Sequence, residues 1–240
     1  MRTNNKQNMV IITTSWDDGH KLDLKLAQLL KKYNLKGTFY ISPSNREWRK
    51  NDLLTDKEVN DLSSEFEIGS HTMTHKRLTK IGEKEVRSEL VNSKIYLEKI
   101  TKKKIISFCY PYGDFNNNIK KLVKDSGYSI ARTVNRHSFI LPADPYAAAT
   151  SIHTYNQKSD IFKILFFTQF NLIEFIRCMD WEYLAKKMFD TIYKNGGVYH
   201  IWGHSKEIED RNEWDKLERV LKYIGNKKNV IYIENNKLIK

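Results

Sequence analysis

The chain has 240 residues, 40% hydrophobic and 12% aromatic, which excludes a disordered protein and allows one sizeable domain. Forty-one Lys and Arg against 29 Asp and Glu give a net charge of +12. That balance suits an acidic glycan, a phosphate carrier or an anionic membrane surface, although scattered lysines on a solvated surface give the same sum.

In chain order, the apolar run over 9–15 predicts a buried strand that leads into "SWDDGH". "MRTNNKQNMVIITTSWDD" returns to charge before any useful apolar core, so no export signal is read and a cytoplasmic location is expected. Helical spacing marks 22–33, "GTFYI" (37–41) is a strand, and a helix is expected near 55–64. "FEIGSH" (66–71) ends another strand, and a helix follows over 82–100.

"IISFCYP" (105–111) is a strand, "NNIKKLVKDSG" a helix ending at Gly127, and "YSIARTV" (128–134) a strand. A further strand is expected within "AAATSIHTY". Helical segments fill 159–177 and 181–194; then come a strand over 196–204, a helix over 212–225 and a strand over 229–233. The apolar stretch 161–176 is broken by Lys163, Gln169, Asn171 and Glu174, too short and polar to span a bilayer. Packing on the body of the protein is its commoner role; a cap over a groove or a membrane-surface contact is the rarer one. Repeated strand–helix alternation argues a parallel sheet, open or closed into a barrel, in a single domain over 1–240.

In such folds function gathers at the C-terminal ends of strands. Asp17 and Asp18 end the first strand, His71 and His75 follow "FEIGS", "YPYGD" follows "IISFC", and His204 ends "GGVYHIW". Two adjacent carboxylates at a buried strand end call for a positive partner. His71 and His75 are four apart, so on a helical turn they would share a face and converge on one ion. Such a pair alone is weak; with Asp18 it matches the open two-His, one-carboxylate site of catalytic zinc. Two solvated Asp at a helix N-terminus is the plain alternative. Only two cysteines, Cys109 and Cys178, occur, which is no disulfide framework and fits a reducing compartment. No basic stripe with interleaved aromatics is present, so nucleic-acid binding is not expected.

The ordered set "SWDDGH", "SHTMTH", "YPYG" and a late W-x-H, spanning residues 13 to about 205, resembles the polysaccharide deacetylases of carbohydrate esterase family four. The resemblance implies a distorted (β/α)7–8 barrel and metal-dependent removal of N-acetyl groups from a sugar or glycan precursor. It implies Asp17 as base, Asp18, His71 and His75 as ligands of a divalent metal (zinc), and a late His as acid. It also implies a substrate groove lined by Pro111 and Tyr112, with the Tyr112 N–H facing the oxyanion. His200 and His204 both fit the late His, but only the one at the strand's C-terminal end reaches the active face, which favours His204. Trp202 is either a sugar-facing wall or a core residue.

The chain departs from the family pattern at two positions. Gly19–His20 stands where the family has Gly-Pro, and Cys109 stands where it has an Arg. That Arg pairs with the base and with an Asp from a later "DW" segment, here Asp180–Trp181; Arg132 on a neighbouring strand is the candidate replacement and a candidate substrate contact. His153 is a candidate for reaching the site, and His137 has no assignable partner. A small-amide amidase and a decayed glycan-binding module are the other readings, the latter resting on Cys109.

Overall fold

β1 (Val10–Asp18) is the axis of the fold, and all nine of its residues are buried. After it come α1 (Asp23–Lys32), β2 (Thr38–Ile41), α2 (Asp56–Ser63), β3 (Glu67–Ser70), α3 (Glu83–Thr101) and β4 (Ser107–Cys109). α4 (Asn117–Asp125), β5 (Ile130–Arg132), β6 (Ile152–His153), α5 (Ile161–Phe167), α6 (Leu172–Cys178) and α7 (Trp181–Asn195) follow. β7 (Gly197–Gly203), α8 (Ser205–Asp210), α9 (Trp214–Ile224) and β8 (Val230–Tyr232) complete the chain. The computed structural model describes residues 9–239; the expectation of no export signal rests mainly on residues 1–8, outside the described residues.

The strands form one parallel sheet in the order β5-β4-β3-β2-β1-β7-β6, with β8 also paired to β1. β7 runs beside Val10–Trp16, β8 pairs Val10–Ile12, and β2 pairs Ser15–Asp18. One extended segment draws the curl together: Ala148 bridges Arg132 of β5, and Ile152–His153 pair with β7. This is the distorted (β/α) barrel that the family resemblance implies, and it closes the parallel sheet that the alternation left open or closed.

Large apolar side chains such as Ile12, Phe39, Phe108, Tyr199 and Ile201 fill the interior, each contributing roughly 1.5–3 kcal/mol on burial. The polar run "TTS" in β1 survives burial because its hydroxyls are satisfied. Thr13 donates to Asn235 at 2.8 Å, Thr14 to the Lys36 carbonyl at 3.0 Å, and Ser15 meets His200 at 2.8 Å.

Among the described residues side-chain caps mark four of the nine helix starts. Thr55 and Glu58 form a capping box on α2, and Asn116 caps α4. The helix expected over 159–177 is two: Gln169 (φ 52) and Phe170 (φ 62) turn the chain, and Asn171 caps α6. α8 went unread because its six residues are too few to carry a period.

Candidate functional site

Successive strand residues face opposite sides of a sheet, so Asp17 and Asp18 would diverge on a regular strand. At Asp18 the backbone is left-handed (φ 83), and both carboxylates line one cleft of about 390 Å³ at the C-terminal ends of the strands. A second depression of about 340 Å³, around Glu67, Lys103 and Glu234, contains no His or Cys.

The helical turn expected for His71 and His75 is absent; both lie on a loop after β3. Left-handed residues Thr72 (φ 64) and His75 (φ 60) fold that loop, and Thr72 Oγ1 accepts from the His75 N–H at 3.0 Å. Glu89 of α3 pins it, accepting from the Thr74 N–H at 2.8 Å and from the Thr74 hydroxyl. The imidazoles end 4.8 Å apart.

Asp18 Oδ1 lies 3.7 Å from His71 Nε2 and 3.3 Å from His75 Nε2. It is buried with no hydrogen-bond partner. His71 Nδ1 meets the Cys109 carbonyl at 2.8 Å; a carbonyl only accepts, so Nδ1 carries the proton and Nε2 presents its lone pair. Burial holds His71 near 3, hence neutral. Tetrahedral donors about 2.1 Å from a shared centre lie roughly 3.4 Å apart, so one orphaned carboxylate oxygen and two imidazole nitrogens at these spacings fit a small divalent cation.

Asp17 takes its cation from across the barrel. Arg132 Nη2 donates to both Asp17 oxygens, and the Arg132 guanidinium lies 4.3 Å from the Trp202 ring. Burial raises the Asp17 carboxyl, but Arg132, His71 and His204 outweigh it and hold it at about 2. Cys109 and Arg132 are register partners on β4 and β5, so the cation sits one strand away from the position the family pattern assigns it. Cys109 Sγ lies 3.6 Å from Asp17 Oδ2, and burial raises its thiol well above the ordinary range.

Three expectations need correction. Arg132 is fully buried behind Asp17 and does not line the cleft. Pro111 is the buried first residue of the turn that carries Tyr112 and does not line the cleft either. Asp180 is not the partner of that arginine: it caps α7 and pairs with Lys216 at 2.7 Å. Tyr112 does line the cleft, 42% exposed and left-handed (φ 57), with its hydroxyl on Glu47.

His204 stands at the residue before α8 and places Nε2 3.9 Å from Asp17 Oδ2. Glu207, three residues on, meets His204 Nδ1 at 2.7 Å. Burial lowers His204, but the Glu207 hydrogen bond and the charges of Asp18, Glu207 and Asp17 outweigh it, raising it to about 9. A Cβ at Gly203 would lie 2.0 Å from Thr154 Oγ1, so glycine permits the close approach of β6 and β7 below His204. His200 lies deeper, against Ser15.

Trp202 is both wall and core: 4% exposed, yet on the cleft. His153 is buried there too, its ring 4.1 Å from Trp202, and neither ring nitrogen has a hydrogen-bond partner. His137 sits 3.6 Å from Asp160. Glu47, Glu89 and Glu207 were missed in the sequence.

A sequence model described as polysaccharide deacetylase matches residues 2–131, more than half of the chain. A peptidoglycan-N-acetylglucosamine deacetylase of Bacillus cereus is 27% identical over 128 residues, 52% of this chain and 44% of the relative. The chain thus spans less than half the length of that curated relative. A solved polysaccharide deacetylase from Bacillus cereus is 28% identical over 57% of this chain and 45% of its own, with a TM-score of 0.50. A candidate polysaccharide deacetylase from Mycobacterium smegmatis aligns over 98% of this chain and 90% of its own at TM-score 0.68; at 12% identity that likeness bears on the fold alone. Motif order, barrel and sequence match agree, and the chain belongs to the polysaccharide deacetylase family.

Proposed function

We propose that the chain is a metal-dependent hydrolase that removes an acetyl group from an N-acetylated sugar or glycan precursor. One observation carries it: the orphaned, buried Asp18 Oδ1 between two imidazole nitrogens, with Asp17 and His204 lining the same cleft. Asp18, His71 and His75 would hold the ion, and two nitrogens with one carboxylate suit zinc. When bound, such an ion supplies Lewis acidity, lowering the pKa of a water toward about 7 and polarising a carbonyl.

Asp17 and His204 are pushed to opposite ends of the scale, about 2 and about 9, and such a split assigns base and acid. Asp17, ionised and oriented by Arg132, accepts a proton from the attacking water. The Tyr112 N–H faces the developing negative charge, a kind of contact typically worth about 10²–10³ in rate. His204 donates its proton to the amine as the C–N bond breaks, and acetate and an amino sugar leave. Trp48, Tyr112, Tyr155 and Trp202 give the cleft aromatic walls, which favours a sugar over a small amide. Arg132 supplies Asp17 with the cation missing at Cys109, which speaks against a decayed site. The two buried cysteines, Cys109 and Cys178, are compatible with a reducing, cytoplasmic setting.

The test is acetate release from a panel of N-acetylated sugars by zinc-loaded and chelated protein. Zinc-dependent release, lost in Asp17→Asn and in His75→Ala, is expected. Undiminished release by either variant would overturn the assignment.

A further inference from the structure

Among the described residues fifteen large apolar side chains are exposed, and eight of them fall between 161 and 179. Phe162, Phe166, Phe170, Leu172, Ile173 and Ile176 on the α5–α6 hairpin are each 59–74% exposed. The same helices also bury apolar groups: Ile164 and Cys178 are covered, and Phe167 packs on Phe139. A water-facing helix keeps its outer face polar; this one is apolar on both, and contiguous patches of this kind mark interaction sites.

The charges around the patch identify what covers it. Its acids are engaged: Asp160 with Arg136 at 2.6 Å, Glu174 with Lys187, Asp180 with Lys216. Lys158 and Lys163 form no ion pair among the described residues, and Arg177 shares Glu174 with Lys187. What the hairpin presents outward is therefore apolar and basic. A second copy, itself at +12, would bring like charge against like; an anionic lipid surface would not.

We propose that the α5–α6 hairpin docks the protein on an anionic lipid bilayer, its aromatic and aliphatic side chains lying in the interface without crossing it. Among the described residues no helix is long and apolar enough to cross. The hairpin is rooted at the cleft: Arg136, which lines the cleft, clamps Asp160 and Ser159 at the start of α5, and Lys163 donates to the Arg136 carbonyl. Docking therefore brings the cleft within reach of a glycan carried at that surface, a consequence that rests on the deacetylase reading, whereas docking itself does not.

The test is co-sedimentation of the full chain, without substrate, with vesicles of phosphatidylcholine alone or mixed with phosphatidylglycerol. Roughly tenfold more protein should pellet with the anionic vesicles, and salt should weaken that binding. Phe166→Ser combined with Ile173→Ser should leave the protein in the supernatant with an unchanged melting temperature, both positions being exposed. Lys158→Glu combined with Lys163→Glu should remove the preference for anionic lipid. Wild-type protein that stays in the supernatant, an apolar variant that still pellets, or a stable dimer by light scattering that this variant dissolves would each overturn the proposal. Acetate release from a soluble sugar, measured on the same variants, separates loss of docking from loss of catalysis.

Discussion

Arg132 is the residue on which the site's electrostatics turn. A buried carboxylate beside a second one is costly unless a cation meets it, and Asp17 has its cation from a position 115 residues away. Removing one partner of a buried pair strands the other, at a cost of roughly 3–5 kcal/mol. Arg132→Met should lose about that much in urea denaturation and most of its deacetylation rate. Cys109→Arg in that background should recover part of both, because the two side chains are register partners facing the same carboxylate. A variant as stable and active as the parent would show that Arg132 is ordinary core.

At the scale of an element, α8 decides how His204 titrates. The helix starts immediately after His204 and turns Glu207 back onto the ring. Carboxylates favour the imidazolium over the neutral ring, so His204 stays charged up to about 9. An acid that must donate a proton is lost as pH rises through its pKa. Glu207→Gln should therefore move the alkaline limb of the rate profile down from about 9 toward the ordinary 6.5 and leave the acid limb in place. An unmoved alkaline limb would remove His204 from the role of acid. The loop carrying His71 and His75 depends likewise on an element, since Glu89 of α3 holds it through Thr74.

For the molecule as a whole, the candidate metal centre ties β1 to the loop after β3 and couples ion binding to folding. An ion that binds only the folded state stabilises it by about 2.7 kcal/mol at a hundredfold excess over its Kd. For a chain of this size that is roughly 5–10 °C in melting temperature. Zinc should produce such a rise in the parent and none in Asp18→Asn. Burial raises the Asp18 carboxyl and the ion needs it ionised, so the rise should shrink in acid. Equal shifts in parent and variant would place the ion elsewhere.

The sequence by itself determined the alternation of strands and helices and the reactive residues at strand ends, and the motif resemblance grouped Asp18 with two histidines. Periodicity reports on neighbours a few residues apart, and a parallel sheet puts its C-terminal ends on one side whatever its register. Only the tertiary structure decided that β5 rather than β4 delivers the cation to Asp17, that Asp180 serves as a helix cap, and that the two histidines converge through left-handed loop residues. It alone also separated the buried from the exposed face of 161–176, a stretch apolar on both. Delivery of the cation depends on strand register and a contact across 115 residues, and the other outcomes depend on backbone conformation and on which elements pack together, which apolar periodicity does not encode.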